Sequence, residues 1–472
     1  MLVALGFLMV ATFMYLILAK RATPVVGLIL VPVAFGLFAG AGTEIGDMII
    51  DAVKSLAPTA ALLFFAIIFF GIMIDVGLFD PLVKLILKLV GNDPAKLVVG
   101  TAVLAMVVSL DGDGSTTFII TTSALLPLYL KLGVSPVVLT VVAGLANGTM
   151  NIIPWGGPTV RAASALGLSP SDVFVPMIPS LIAGLVIVLL FSVHLGLMER
   201  RRIGSLVLTS EPLLAAAGSR GWSVGSGTGS GGTGSAGDGG TGGDSGDSGR
   251  GEVGQLTGGL DPDRDTLRPR LLWFNAALTV ALLVVLGMDV VPIPVLFMIA
   301  AGIALAVNFP RVADQSAAIA RHSSSIVSVV AMVFAAAVLT GVFQGTGMVE
   351  AMATWLTGII PDALGPFLAV ITGLLSIPLT FFMTNDAFYF GVLPVLTETA
   401  ATYGIEPVEM ARASITGQPV HMQSPLVPAI LLLVTLAGVS LADHHKKVLW
   451  RATIVSIAML VVGVLLGQIP LG

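Results

Sequence analysis

Apolar residues run along this chain in stretches of about 17–25 positions parted by short polar segments, the length a helix needs to cross the hydrocarbon core of a bilayer. The pattern predicts membrane-crossing helices near 2–19, 24–41, 57–75, 134–160 and 172–197. It predicts a second set near 271–288, 291–309, 323–345, 409–437 and 449–469. Two further apolar regions, 97–128 and 364–397, are interrupted at their middles by polar or glycine-rich residues. Each half of these regions reads as too short to cross alone, so both are expected to enter and leave on one side as re-entrant hairpins. The expected fold is an all-α membrane protein of about 10 transmembrane helices plus two hairpins.

Composition supports that reading. The chain of 472 residues is 56% hydrophobic and 10% charged, where a soluble domain carries about 25% charged residues. It has no cysteine, which excludes disulfides, thiolate metal sites and cysteine nucleophiles. The opening run MLVALGFLMVATFMYLILA has no basic segment before it and Lys20-Arg21 after it, the pattern of a retained first helix rather than a cleaved signal.

The residues at 204–270, centred on a Gly/Ser/Thr/Asp tract at 218–259, cannot bury enough apolar surface to fold and read as a flexible linker. They divide the chain into halves at 1–203 and 271–472, and the halves read as one pattern written twice. GIMIDVGLFDPL (71–82) answers GVFQGTGMVEAM (341–352), aligning Gly71 with Gly341 and Gly77 with Gly347. Near the end of each half, Pro136 and Pro154 answer Pro407 and Pro425, with Asn147 opposite Gln418. Placing Lys20-Arg21 in the cytoplasm brings all basic residues except Lys54, Arg161 and Arg412 to that face, together with the linker. The second half then enters upside down. An inverted repeat with broken segments at mid-membrane is a secondary-transporter architecture.

Charge inside such segments is costly, about 2.5–3.5 kcal/mol or more per group, and marks function by default. The first interruption, SLDGDGSTT, holds Asp111, Gly112, Asp113, Gly114, Ser115, Thr116 and Thr117. Its glycines permit turns closed to other residues, its free N–H groups favour anions, and its carboxylates suit a hard cation. That combination fits an anion carrying a divalent cation. The second interruption, FFMTNDAFYFG, offers Thr384, Asn385 and Asp386. Asn147, Thr149 and Asn151 in LANGTMNIIPWGGP, with Gln418, His421 and Gln423 in ITGQPVHMQSP, project from Pro/Gly-broken helices. His421 reads either as a proton carrier or as a hydrogen-bonded packing residue; Gln418 and Asn147 read as ligands or as helix glue. Arg161, just past the break in the first half, reads either as a group that attracts anions or, the preferred reading, as a marker of a membrane surface. No HExxH or nucleophile motif is present, so the expectation is a carrier and not an enzyme.

SLDGDGSTT, NGTMNIIPWGGPT, FFMTNDAFYFGVLP and GQPVHMQSPLVPA together resemble the citrate–divalent metal:proton symporters (CitMHS) of the ion transporter superfamily, over nearly the whole chain outside the linker. The resemblance implies uptake of citrate as its Mg or Ca complex coupled to protons, and a homodimer in the cell membrane working by an elevator movement. It implies no resident cofactor beyond the co-transported metal, and no nucleic-acid partner. It places Ser115-Thr116-Thr117 and Thr384-Asn385-Asp386 at the two hairpin tips. Sodium-coupled relatives carry Ser-Asn-Thr at both tips. The extra carboxylates here instead make Asp111, Asp113 and Asp386 candidates for sensing the metal, and Asp113, Asp386 and His421 candidates for the proton. The other reading is a proton-coupled carrier of a free di- or tricarboxylate or another small anion.

Overall fold

The computed structural model describes residues 1–203 and 264–472, apart from Lys20, Asn92 and Asp289. Most of the expected linker, 204–263, lies outside the described residues. All regular structure among the described residues is helical. The first half runs α1 (Leu2–Leu18), α2 (Pro24–Phe38), α3 (Ile45–Asp75), α4 (Asp80–Val90), α5 (Pro94–Val108), α6 (Gly114–Lys131), α7 (Pro136–Met150), α8 (Gly157–Leu166), α9 (Pro170–Phe174) and α10 (Ile178–Ile203). The second runs α11 (Leu272–Met288), α12 (Ile293–Asn308), α13 (Val312–Arg321), α14 (Ser323–Gly345), α15 (Met348–Thr357) and α16 (Leu368–Phe382), then, after a π-helical segment at Ala387–Val392, α17 (Leu393–Ala401). It closes with α18 (Pro407–Ser414), α19 (Gln418–His421), α20 (Pro428–Leu436) and α21 (Leu441–Leu465).

Helix starts follow local chemistry. A capping residue followed by proline opens α2 (Thr23-Pro24) and α5 (Asp93-Pro94). Proline at the first helical position lacks an N–H that would be unpaired there anyway. The Asp93 side chain accepts from the Ala95 N–H at 2.9 Å.

Among the described residues, seven helices are long and apolar enough to cross a membrane by length and composition. The stretches expected at 2–19 and 24–41 form helices of 17 and 15 residues, and the one at 134–160 is split into α7 and α8 by a break at 151–156. The arms leading into both interruptions are longer than the sequence suggested. Pro94–Asp111 and Asp362–Phe382 have 18 and 21 residues and are themselves candidate spans.

The long helices of the two halves interlock: α3 packs along α14 and α12, α14 also along α2, and α10 along α5 and α21. One large apolar core runs through both halves; a smaller one joins α1, α2, α14 and α15. Residues 264–270, read as the end of the linker, fold onto the first half. Arg264 Nε and Thr266 Oγ1 donate to the Asp75 carbonyl at 2.9 and 2.8 Å, and the Arg268 N–H donates to the Val76 carbonyl at 3.2 Å. The C-terminal end of α3 is thereby fixed beside the start of the second half.

Candidate functional site

The first interruption forms a tight tip between α5 and α6. Ser109–Asp111 make a turn of 3-10 helix, and Gly112 then reverses the chain in the left-handed region, φ 81°. Asp113 caps α6: its Oδ1 accepts from the Ser115 N–H at 3.1 Å, and its Oδ2 from the Thr116 N–H and hydroxyl at 2.9 and 2.7 Å. The Asp111 carboxylate accepts from the Asp113 N–H at 2.9 Å. Behind the tip, Asn147 of α7 donates to Ser109 Oγ at 3.0 Å and to Thr117 Oγ1 at 3.5 Å. Asn147 thus braces the hairpin, and Thr117 is buried with it. Trp155, from the break between α7 and α8, donates to the Leu110 carbonyl at 2.8 Å. A β-carbon on Gly112 would stand 2.9 Å from its Cδ1, so only glycine fits there at both counts.

This tip borders a cavity of about 640 Å³. Its polar lining comes from Asp111, Asp113, Ser115 and Thr116 of the tip, from Arg161 of α8, and from Asp75, Arg321 and His322. Its apolar wall is α3, from Leu63 to Ile74, with Trp155 and part of α14. The ring of Trp155 lies 5.2 Å from that of Phe70, centroid to centroid, which sets the tip at the level of Phe70 along α3.

The second interruption is organised differently. Residues 383–386 break the chain after α16, and Thr384 Oγ1 accepts from the Ala387 N–H at 3.3 Å. Asn385 and Gln418 face each other amide to amide at 3.3–3.4 Å, and Gln418 also donates to the Tyr389 hydroxyl at 2.9 Å. These three side chains are buried and satisfy one another. Asp386 reaches toward the cavity through Arg161, whose Nε donates to Asp386 Oδ1 at 2.5 Å. Their side chains are 26% and 10% exposed. A β-carbon on Gly157 would stand 2.6 Å from Arg161 Nη1; the absence of a side chain one turn earlier gives the guanidinium its room.

The remaining predicted residues stand apart from the cavity. His421 is buried, with Nδ1 2.5 Å from the Thr380 carbonyl; a carbonyl only accepts, so that nitrogen carries the hydrogen. Gln423 donates to the Gly144 and Pro419 carbonyls at 3.0 and 2.9 Å and holds His444 at 3.1 Å, which is the role of helix glue. Thr149 bonds back to the Leu145 carbonyl at 2.8 Å, and Asn151 ends α7. Among the described residues no group of three His, Asp or Glu side chains could hold a metal ion alone. Asp111 and Asp113 line the cavity directly, whereas Asp386 meets it through Arg161.

Four ionisable residues of the cavity were not selected from the sequence: Arg161, Asp75, Arg321 and His322. Arg161, expected at a membrane surface, lines the cavity and joins the two halves. Asp75 Oδ2 receives Arg321 Nε at 3.0 Å and lies 3.2 Å from His322 Nε2. Asp75 in GIMIDVG was a readable signal, a carboxylate closing a long apolar run; Arg321 entered only the count of basic residues at the cytoplasmic face, and nothing in the sequence singles out His322.

A family model described as citrate transporter matches residues 3–417. The chain belongs to the citrate transporter family. It is a transporter and not an enzyme, and a multi-pass membrane protein. Among members of the family, it is 46% identical to the "Citrate transporter" of Bacillus subtilis (strain 168), over 99% of this chain and 100% of the relative. It is equally 46% identical to the "Mg(2+)/citrate complex secondary transporter" of the same organism, over the full length of both. The fold is similar to that of the YdaH transporter of Alcanivorax borkumensis, whose crystal structure is described as having an unusual topology. The TM-score is 0.56 at 13% identity, covering 91% of this chain and 90% of that one.

Proposed function

We propose that the protein is a secondary transporter that takes up citrate as its complex with a divalent metal ion of the Mg or Ca type, coupled to protons. The observation that carries the proposal is the mixed lining of the cavity. Asp111 and Asp113 stand at one wall, Arg161 and Arg321 at others, and Ser115 and Thr116 offer hydroxyls. Citrate alone is a trianion and costly to desolvate; chelation of a divalent ion leaves one net negative charge. Hard cations favour carboxylate oxygens, and guanidinium groups favour carboxylates. A metal chelate presents both kinds of partner at once. Sequence likeness over the full length to a transporter named for the magnesium–citrate complex supports the same reading.

The proposal includes the inverted arrangement of the halves, the re-entrant character of the two hairpins, a homodimer moving as an elevator, and a cytoplasmic segment between the halves. The matching order of elements in the two halves supports the first of these, and the distribution of lysine and arginine supports the last.

The test is uptake of labelled citrate into proteoliposomes under an inward pH gradient, with and without Mg²⁺ or Ca²⁺. Uptake that needs the metal and collapses with the gradient is expected. Uptake indifferent to metal, and competed by succinate or malate, would favour the free carboxylate instead.

A further inference from the structure

The cavity has a second polar end. Asp75 closes α3 five residues beyond Phe70, about 7–8 Å along the helix from the level at which Trp155 holds the first hairpin tip. Arg321 and His322 stand against Asp75, and the hydroxyl residues Ser324, Ser325 and Ser328, which follow them in sequence, line the same void. Gly71 shapes this end: a β-carbon there would lie 2.6–2.7 Å from three atoms of the His322 ring. The imidazole occupies that notch and reaches Asp75 one helical turn on. Arg321 spends Nε on Asp75, and its Nη2 is buried with no hydrogen-bond partner among the described residues. The N-terminus of α14, a helix of 23 residues, opens at Ser323 beside this group, and helix N-termini favour anions.

We propose that Asp75, Arg321 and His322 form a carboxylate-binding subsite whose occupancy is linked to the protonation of His322, so that one proton and one anionic group of the substrate bind together. The inference rests on the metal–citrate reading and adds the residues that tie proton to anion. The charge count gives the mechanism. With neutral imidazole, Asp75 and Arg321 cancel and the group holds no net charge for an anion. With protonated imidazole, the group carries one positive charge, Asp75 stays satisfied, and that charge and the serine hydroxyls lining the cavity have an anion to receive. Imidazole is the side chain whose charge ordinarily changes between about pH 5 and 8. By linkage, the proton strengthens anion binding as much as the anion strengthens proton binding. The charged groups facing His322 are Asp75 on α3 and the adjacent Arg321, with Arg161, Asp111 and Asp113 across the cavity. Arg264 is engaged with Asp80 and the Asp75 carbonyl.

The experiment measures binding of magnesium citrate to the purified full-length protein by calorimetry across about pH 5.5 to 8, in wild type, His322→Gln and His322→Lys. The ligand's own titration is common to all three and drops out of the ratios. The expected result is a wild-type to H322Q affinity ratio that falls about tenfold as pH rises, with H322K tight throughout. A ratio constant with pH, with binding intact, overturns this inference alone. Failure of wild type to bind magnesium citrate at any pH overturns the citrate reading and this inference with it. If H322Q does not fold, H322K decides: binding independent of pH relative to wild type supports the linkage, and unchanged pH dependence overturns it.

Discussion

Arg161 of α8 donates to the Asp386 carboxylate at 2.5 Å, across 225 residues of sequence, and so ties the broken helix of the first half to the interruption of the second. An ion pair this shielded loses strongly when one partner is removed, because the other charge is left uncompensated. Asp386→Asn is expected to cut citrate uptake more than tenfold and to lower thermal stability in detergent. Asp386→Asn combined with Arg161→Gln should recover stability but not uptake. Recovery of both would reduce the pair to a structural tie.

Gly112 makes a second, purely steric prediction. Its φ of 81° is costly for residues with a β-carbon, and the added atom would stand 2.9 Å from Trp155. Gly112→Ala is expected to destabilise the protein by about 1–3 kcal/mol and to depress uptake. Trp155→Phe, which removes the bond to the Leu110 carbonyl but also slims the neighbour, should partly restore the alanine variant. Thermal unfolding of the single and double variants checks this.

The two roles of Asp113 can be separated. Asparagine caps a helix about as well as aspartate, whereas alanine loses about 0.5–2 kcal/mol. Asp113→Asn should therefore leave folding intact while reducing metal-dependent uptake, and Asp113→Ala should reduce both. Equal uptake in D113N and wild type would leave Asp113 only its cap.

Gln418 predicts the opposite profile. It sits in a closed amide and hydroxyl cluster with Asn385 and Tyr389, outside the cavity. Gln418→Leu strands buried polar groups, at about 1–3 kcal/mol, and is expected to lower stability with little change in the KM for citrate. A raised KM at unchanged stability would return Gln418 to the binding site.

The all-helical fold and the two interruptions were legible because they depend on local composition: apolar runs of crossing length, and glycine or acidic residues placed where a helix must open. At the first tip the turn at Gly112 was legible, but the capping of α6 by Asp113 was not read, although it acts only on neighbours in sequence. The second tip was recognised but not its use, because the amides of Asn385 and Gln418 can face a ligand or one another, and only packing decides. His421 and Gln423 went the same way, taken up by backbone carbonyls. Arg161, Arg321 and His322 were missed because their meaning lies in partners far along the chain: Asp386 for one, Asp75 for the others. Nothing in a basic residue near a helix end tells whether it faces water or a cavity.

The central claim is that citrate and its metal occupy the cavity as one chelate. The most direct measurement follows labelled citrate and labelled divalent metal simultaneously into the same proteoliposomes. A fixed one-to-one flux ratio, unchanged when either is varied and lost together in Asp111→Asn, is the expected result. Citrate entering with no accompanying metal, or metal entering without citrate, would contradict it.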